Sequence, residues 1–370
     1  MIRVEALPAG EGDCLWVEWD DSGRRRRMLI DGGTPAARQA LTARFARQPS
    51  GERDFELVVC THIDDDHIGG LLDLLDSPPD GFTTRDLWFN GYDQLVPPDL
   101  LGKPRAERFA ALLAATGIPW NAAAGGRAIA VPASDSPPPV FRLPGLTLTL
   151  LSPTWERLER LRTNWDKWRA EQRARQAPEP PADLLGSRAR IPWRELARDY
   201  TADTSPANGA SIAFCAEHAG GGRVLFGADA HAEVLVESLR RLRPGGRHRI
   251  DLCKVPHHGS AHNLSPALLA AIECDQWLIA TDGWRQVRGK EARYRPGEGC
   301  HPSLPTMARL ILAAPRPTFW FNYRVASTER YADAYLALQL GFRAEHPPPG
   351  SAGIAVMVGP GTVTRADQPR

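Results

Sequence analysis

Two histidines and three aspartates fall between His62 and His67, inside the stretch Thr61–Gly70, THIDDDHIGG. His62, Asp64, Asp66 and His67 follow an H-x-D-x-D-H spacing. On a tight loop after a strand, that alternation directs several donor atoms at one point. Neutral imidazole and carboxylate together suit a divalent metal. A cation also offsets the repulsion that would otherwise force one of three adjacent carboxylates to protonate. A solvent-exposed acidic turn or a helix N-cap accounts for the aspartates, but not for the histidines or for Gly69-Gly70 behind them.

Two other segments offer the same chemistry. Phe226–Ala230, FGADA, puts Asp229 just past an apolar strand, where its carboxylate could bridge two metals. Lys254–Ser260, KVPHHGS, ends a strand in paired His257 and His258, with Gly259 allowing close backbone approach. Alone, the first is a common turn and each histidine reads as a satisfied core residue. Three such strand ends in one chain point to one site.

The elements that must position them read as alternating strands and helices. Ile2–Leu7, Cys14–Trp19, Met28–Ile30 and Glu56–Cys60 have strand character, the last leading into the His/Asp loop. Asp86–Asn90, Leu146–Leu151, Ala210–Ala216, Val224–Phe226, Asp251–Val255 and Leu278–Thr281 extend the set, and Gly353–Val358 reads as the last strand. Helices are expected over Thr34–Arg47, Leu71–Leu75, Pro104–Thr116, residues 155–175 and Ser303–Ala313. A proline-rich run over 177–182 breaks the fourth of these, so 155–205 reads as a helical, proline-rich insertion. Polar motifs at strand ends in both halves favour a layered α/β sandwich with its chemistry at one edge.

The 370 residues are 42% hydrophobic and 24% charged, enough for a sizeable core in one domain over 1–370. A net charge of +1 excludes overall steering toward nucleic acid or an anionic membrane, leaving room only for a local basic groove. The six cysteines form no CxxC pair and read as reduced thiols. No stretch approaches the roughly 20 apolar residues of a membrane span. A soluble, cytoplasmic protein without membrane contact is expected.

The motifs, taken in order, resemble the metallo-β-lactamase fold superfamily, and most closely its ComEC-type branch. They are Gly10-Glu11-Gly12-Asp13, Ile30-Asp31-Gly32-Gly33, Thr61–Gly70, Gly227-Ala228-Asp229-Ala230, Pro256–Ser260 and His301-Pro302-Ser303. The resemblance implies a four-layer αββα sandwich with two divalent metal ions in an edge cleft. His62 and Asp64 would face one metal, Asp66 and His67 the other. Asp229 would bridge, and His258 would be the late ligand with His257 as the alternative. Asp31 would support the site from behind. Many superfamily members carry histidine at the position of Asp64 and another shortly before the strand leading to the Gly-Asp motif. Here that second region is Ala207-Asn208-Gly209-Ala210-Ser211, as in the ComEC-type branch, so Asn208 is the candidate there. An oxygen-rich first position is weaker than a three-histidine one and favours Mn²⁺ or Mg²⁺ over Zn²⁺, or fills only with substrate.

The reaction this implies is hydrolysis by a hydroxide activated between two metals, most readily of a phosphodiester, with nucleic acid as the leading substrate. Asp66 is the candidate for orienting the attacking oxygen. His301 is the candidate for contacting phosphate or protonating the leaving oxygen, or it merely precedes a helix cap. Lys254 either holds phosphate or flanks its strand. Arg285 and Arg288 belong to a basic loop suited to phosphate. Arg24–Arg27 and the Arg/Trp-rich helix at 155–175 are weaker supports, since an arginine run on a hairpin is more often a solvated edge and a Trp/Leu stripe more often a packing face. The rival readings are a small-molecule ester, lactone or phosphodiester hydrolase of the same fold, and an inactive binding or regulatory module.

Overall fold

The computed structural model describes residues 1–91, 104–133, 136–171, 191–283 and 301–366. The chain opens with strands β1 (Ile2–Ala6), β2 (Leu15–Asp21) and β3 (Arg24–Ile30), then helix α1 (Arg38–Ala46), strand β4 (Leu57–Val59), helix α2 (Asp65–Asp76), strand β5 (Leu87–Trp88) and helix α3 (Pro104–Thr116). A second run follows: β6 (Val140–Leu143), β7 (Leu146–Ser152), α4 (Trp155–Glu171), β8 (Ala213–His218), β9 (Arg223–Phe226), α5 (Ala232–Leu242), β10 (Leu252–Lys254), α6 (Pro266–Ala271) and β11 (Gln276–Ile279). The chain then runs through α7 (Leu304–Ala313), β12 (Thr318–Phe321), α8 (Ala334–Leu340), β13 (Arg343–Glu345), β14 (Ile354–Gly359) and β15 (Thr362–Arg365).

Two large sheets result. One has the order β15-β14-β1-β2-β3-β4-β5, the other β13-β12-β11-β10-β9-β8-β7-β6. Alternation decides how they stack. Val4, Val17, Met28 and Val59 from the first sheet share one buried cluster with Leu148, Phe214, Val224 and Leu252 from the second. On the first sheet's outer face, Trp16 and Phe55 pack with Phe45, Ile68, Leu71 and Phe109 of α1, α2 and α3. On the second sheet's outer face, Leu225, Cys253 and Trp277 pack with Leu235 of α5 and Met307 of α7. The layers are therefore helix, sheet, sheet, helix, the αββα order expected. α4 is not appended outside them, because Leu158 and Leu161 are buried in the first helix layer.

The outer face of the first sheet also carries buried charge. Glu5 lies 2.6 Å from Arg3 and 2.9 Å from Arg44, and Arg27 reaches Glu18 at 3.3 Å. Each ion finds a partner, which is the condition for burying it. β15 follows the strand expected to be last, continuing the antiparallel meander from Gly359↔Thr362. Among the described residues no helix is long and apolar enough to cross a membrane.

Candidate metal centre

Parallel pairing brings the chemistry to one edge. In the first sheet β3 and β4 pair in parallel, ending at Ile30↔Val59, and run on into Asp31 and His62. In the second, β9 and β10 pair in parallel through Phe226↔Lys254 and run on into Asp229 and His257-His258. Only parallel neighbours deliver successive C-terminal loops to the same side.

The His/Asp stretch differs from the loop expected. Asp64 is the N-cap of α2, so Asp65, Asp66 and His67 lie in the first turn of a helix. Gly69 and Gly70 lie inside that helix, where glycine is normally unfavourable. Packing explains them. A Cβ on Gly70 would sit 2.1 Å from the Gly32 oxygen, and one on Gly32 would sit 2.3 Å from Leu71 N. Gly32 N donates to His67 O at 2.8 Å and Gly70 N to Gly33 O at 3.1 Å. The Asp31 turn thus lies flat against the helix start, and Asp31 sits beside His67.

Asp31 is fully buried and accepts three hydrogen bonds: from Thr61 N and Thr61 Oγ1, both at 2.7 Å, and from His67 Nδ1 at 2.8 Å. Having given its proton to Asp31, the Thr61 hydroxyl accepts from His62 Nδ1 at 3.0 Å. His258 Nδ1 donates to the Ala280 carbonyl at 3.0 Å. Each of these imidazoles therefore keeps its proton at Nδ1 and presents Nε2 as the atom that could hold a cation. Those nitrogens converge on Asp229 Oδ2, at 3.9 Å for His62, 3.5 Å for His67 and 3.7 Å for His258. Asp66 Oδ2 lies 3.6 Å from His258 Nε2 and 3.7 Å from His67 Nε2. Asp64 does not cap its helix by a side-chain bond; its carboxylate is 3.8 Å from His62 Nε2.

These donors suit a cation. His67 Nε2 and His258 Nε2 face each other at 3.3 Å, a contact that needs either a shared proton or a cation between the two nitrogens. His62 Nε2 and Asp229 Oδ1 are buried without a hydrogen-bond partner. Such groups are costly unless something else satisfies them. Two sets, His62/His67/Asp229 and Asp66/His67/His258, each bring one atom per residue within 4.8 Å of the others. A third, Asp13/Asp31/His67, is accounted for by the hydrogen bond from His67 to Asp31 and by the pairing of Asp13 with Lys254. Burial pushes Asp229 up, yet His257, His67 and His258 hold it well below the usual carboxylate range. Burial opposes charge on His258 too, but Asp229 and Asp13 raise it to about 9. His62 is lowered, by burial and then by His67. Of the six described non-glycine residues with positive φ, four are Asp31, Ala228, His257 and His258, so backbone strain is concentrated here.

A family model described as the metallo-beta-lactamase superfamily matches residues 7–81, which hold the Asp31 turn and the whole His/Asp stretch. Over that stretch the chain resembles this superfamily, and its helix, sheet, sheet, helix layers are the architecture the resemblance implies. No curated protein matches it. Among solved structures, a diphosphatase of the PhnP family is similar over 97% of this chain and 99% of its own, at 12% identity and a TM-score of 0.41. The metallo-beta-lactamase fold protein YhfI from Bacillus subtilis has the same coverage, with 10% identity and a TM-score of 0.43. Human tRNase Z, short form, covers 75% of this chain and 91% of its own, at 12% identity and a TM-score of 0.37. At these values none of the likenesses carries an activity to this chain.

Other expected residues fall elsewhere. His301 is half-buried at the rim, its ring 5.4 Å from that of His257 and 6.3 Å from that of His258. Lys254 is fully buried and its ammonium pairs with Asp13, so it faces no phosphate; the flanking reading is the one the structure supports. The Asn208 amide nitrogen donates to Asp203 at 2.7 Å and lies 3.4 Å from His257 Nδ1, so it stands behind His257. Arg24–Arg27 form the start of β3, about 13–23 Å along the strand from Asp31 at ~3.3 Å per residue. Three of the four are paired with acids: Arg24 with Asp54 at 2.9 Å, Arg26 with Glu56 at 2.8 Å and Arg27 with Glu52 at 2.8 Å. Arg285, Arg288 and residues 172–190 of the expected insertion lie outside the described residues, as do the side chains of Trp165 and Trp168. Sequence reasoning missed Thr61, Asp203 and Asn263. Thr61 was legible only as part of its motif, and nothing in the local sequence marks the other two.

Proposed function

We propose that the protein is a metal-dependent hydrolase of phosphodiesters, with nucleic acid as the substrate class to test. One observation carries the reading: imidazole Nε2 atoms from both sheets, each fixed from behind through Nδ1, meet at one buried carboxylate oxygen. His62, Asp64 and Asp229 would hold one divalent ion, and Asp66, His67, His258 and Asp229 a second, Zn²⁺, Mn²⁺ or Mg²⁺. When bound, such ions acidify a water and offset negative charge developing on a phosphoryl oxygen.

The chain's own residues supply the rest. Asp31 and the Ala280 carbonyl hold His67 and His258 so that their lone pairs stay on Nε2. Asp66, the more open carboxylate beside these rings, would accept a hydrogen bond from the attacking water and orient it. His301, at the rim, would donate a proton to the leaving oxygen. The motif order supports the ComEC-type branch and, through it, a polymeric substrate. The pairing of Arg24, Arg26 and Arg27 with acids weakens one support for that choice.

The test is turnover by the purified chain of labelled single- and double-stranded DNA and RNA, and of bis(p-nitrophenyl) phosphate, with Mn²⁺, Mg²⁺ or Zn²⁺. Cleavage of a polymer is expected. Small-ester turnover alone would replace the polymer reading with a small-substrate one. Inactivity on all with two ions bound would leave a binding module.

A further inference from the structure

We propose that His257 is itself a metal ligand, adding a fourth imidazole to the cluster around Asp229, and that Asp203 and Asn263 are the positioning residues that present it. This rests on the metal-dependent reading above. His257 Nε2 stands 3.6 Å from Asp229 Oδ2, the same oxygen that the Nε2 atoms of His62, His67 and His258 approach. Neighbours in an extended strand point to opposite faces. His257 and His258 both point to Asp229 because both adopt left-handed backbone, with φ of 47° and 53°. Non-glycine residues rarely accept that conformation twice in succession. Gly259 follows at φ +87° and lies against Pro302.

The tautomer of His257 is fixed as firmly as those of its neighbours. Its Nδ1 is 2.8 Å from Asn263 Oδ1. The Asn263 amide nitrogen is already committed, donating to Asp203 Oδ2 at 2.9 Å and to the Asp229 carbonyl at 3.0 Å. The atom facing His257 is therefore the oxygen, and Nδ1 must carry the proton. Asp203 in turn accepts from Ser205 N at 2.8 Å and from Asn208 Nδ2 at 2.7 Å, which anchors the bracket. The lone pair of His257 is left on Nε2, aimed at Asp229. Residue types with no metal-binding signal of their own thus do for His257 what Asp31 does for His67.

The experiment loads the full chain with Co²⁺ and counts the metal-shifted, exchangeable imidazole N–H proton signals, one per ligand ring protonated at Nδ1. Four are expected, and His257→Gln should remove one. Zn²⁺ titration by calorimetry on the same protein should show two equivalents in the unaltered chain. One of them should weaken by about tenfold or more in His257→Gln, and by ~10–100-fold in Asp203→Ala, the usual effect of removing an outer partner. Two ions with only three shifted signals in the unaltered chain would overturn this inference alone. Unchanged Zn²⁺ affinity in His257→Gln would do the same. No ion uptake by the unaltered chain would overturn the hydrolase reading as well.

Discussion

Replacing Asp31 by Asn should separate ligand positioning from folding. Asp31 has a φ of +59°, a conformation Asn tolerates well, so the backbone is not newly strained. The amide oxygen must take the place of Oδ1, because it faces the Thr61 N–H at 2.7 Å. The NH₂ then replaces Oδ2 and meets the Thr61 hydroxyl at 2.7 Å and His67 Nδ1 at 2.8 Å. The hydroxyl can rotate to accept. The Nδ1–H cannot, so His67 must move its proton to Nε2 and turn a donor, in place of a lone pair, toward Asp229. A hydrogen bond to a charged group, about 1.5–3 kcal/mol, is lost at the ring. The loss of an outer partner typically weakens metal affinity ~10–100-fold, or about 1.4–2.8 kcal/mol. Calorimetric Zn²⁺ titration with a competing chelator measures this, and thermal melting of the metal-stripped variant checks folding. Asp31→Ala should differ, since it also leaves the buried Thr61 N–H unpaired and should lower the melting temperature further. A folded Asp31→Asn protein that binds Zn²⁺ as tightly as the parent would refute the argument.

Gly70→Ala places a methyl 2.1 Å from the Gly32 oxygen, and the overpacking, ~1–3 kcal/mol or more, should exceed a helix-propensity gain of ~1 kcal/mol; an unchanged urea midpoint would count against the close packing of α2 on the Asp31 turn. Lys254→Met leaves Asp13 buried without its cation and should cost ~3–5 kcal/mol, much of it recovered in the Asp13→Asn/Lys254→Met double variant. A single variant as stable as the parent would mean the pair is not needed. His346 donates to Thr328 O at 3.1 Å, stacks on Phe321, and is lowered by burial. Its unfolded form takes up a proton near pH 6.5 and its folded form only lower. Its stability contribution is therefore present above about pH 6.5 and is lost as pH falls toward the folded value. The unfolding free energy of the parent should drop more steeply between pH 7 and 5 than that of His346→Gln, and parallel curves would disprove it.

The donors were legible because they sit in short motifs at strand ends, where period-2 apolar runs stop at polar clusters. The helix start at Asp65 was not, because Gly69 and Gly70 read as a loop signal; only the opposing Gly32 backbone reveals them as a close contact. Lys254 was ambiguous for a similar reason. A lysine beside two histidines suits phosphate equally well until its partner Asp13, far away in sequence, is placed. Asp203 and Asn263 form their bracket with Asn208 by tertiary contact, which local spacing cannot encode. The arginine run was read as a possible anion site, yet it belongs to the interior of a sheet whose outer face is already rich in acids.

The strand ladders of the two leaves are separate, and their inner faces meet through apolar side chains. His62, Asp64, Asp66 and His67 belong to one leaf; Asp229, His257 and His258 belong to the other. A cation gripped by both would act as a rivet through the seam, beside the Asp13–Lys254 pair that already crosses it. Chelation would then loosen this edge of the sandwich, and amide protons near Thr61 and Val255 would exchange with solvent together.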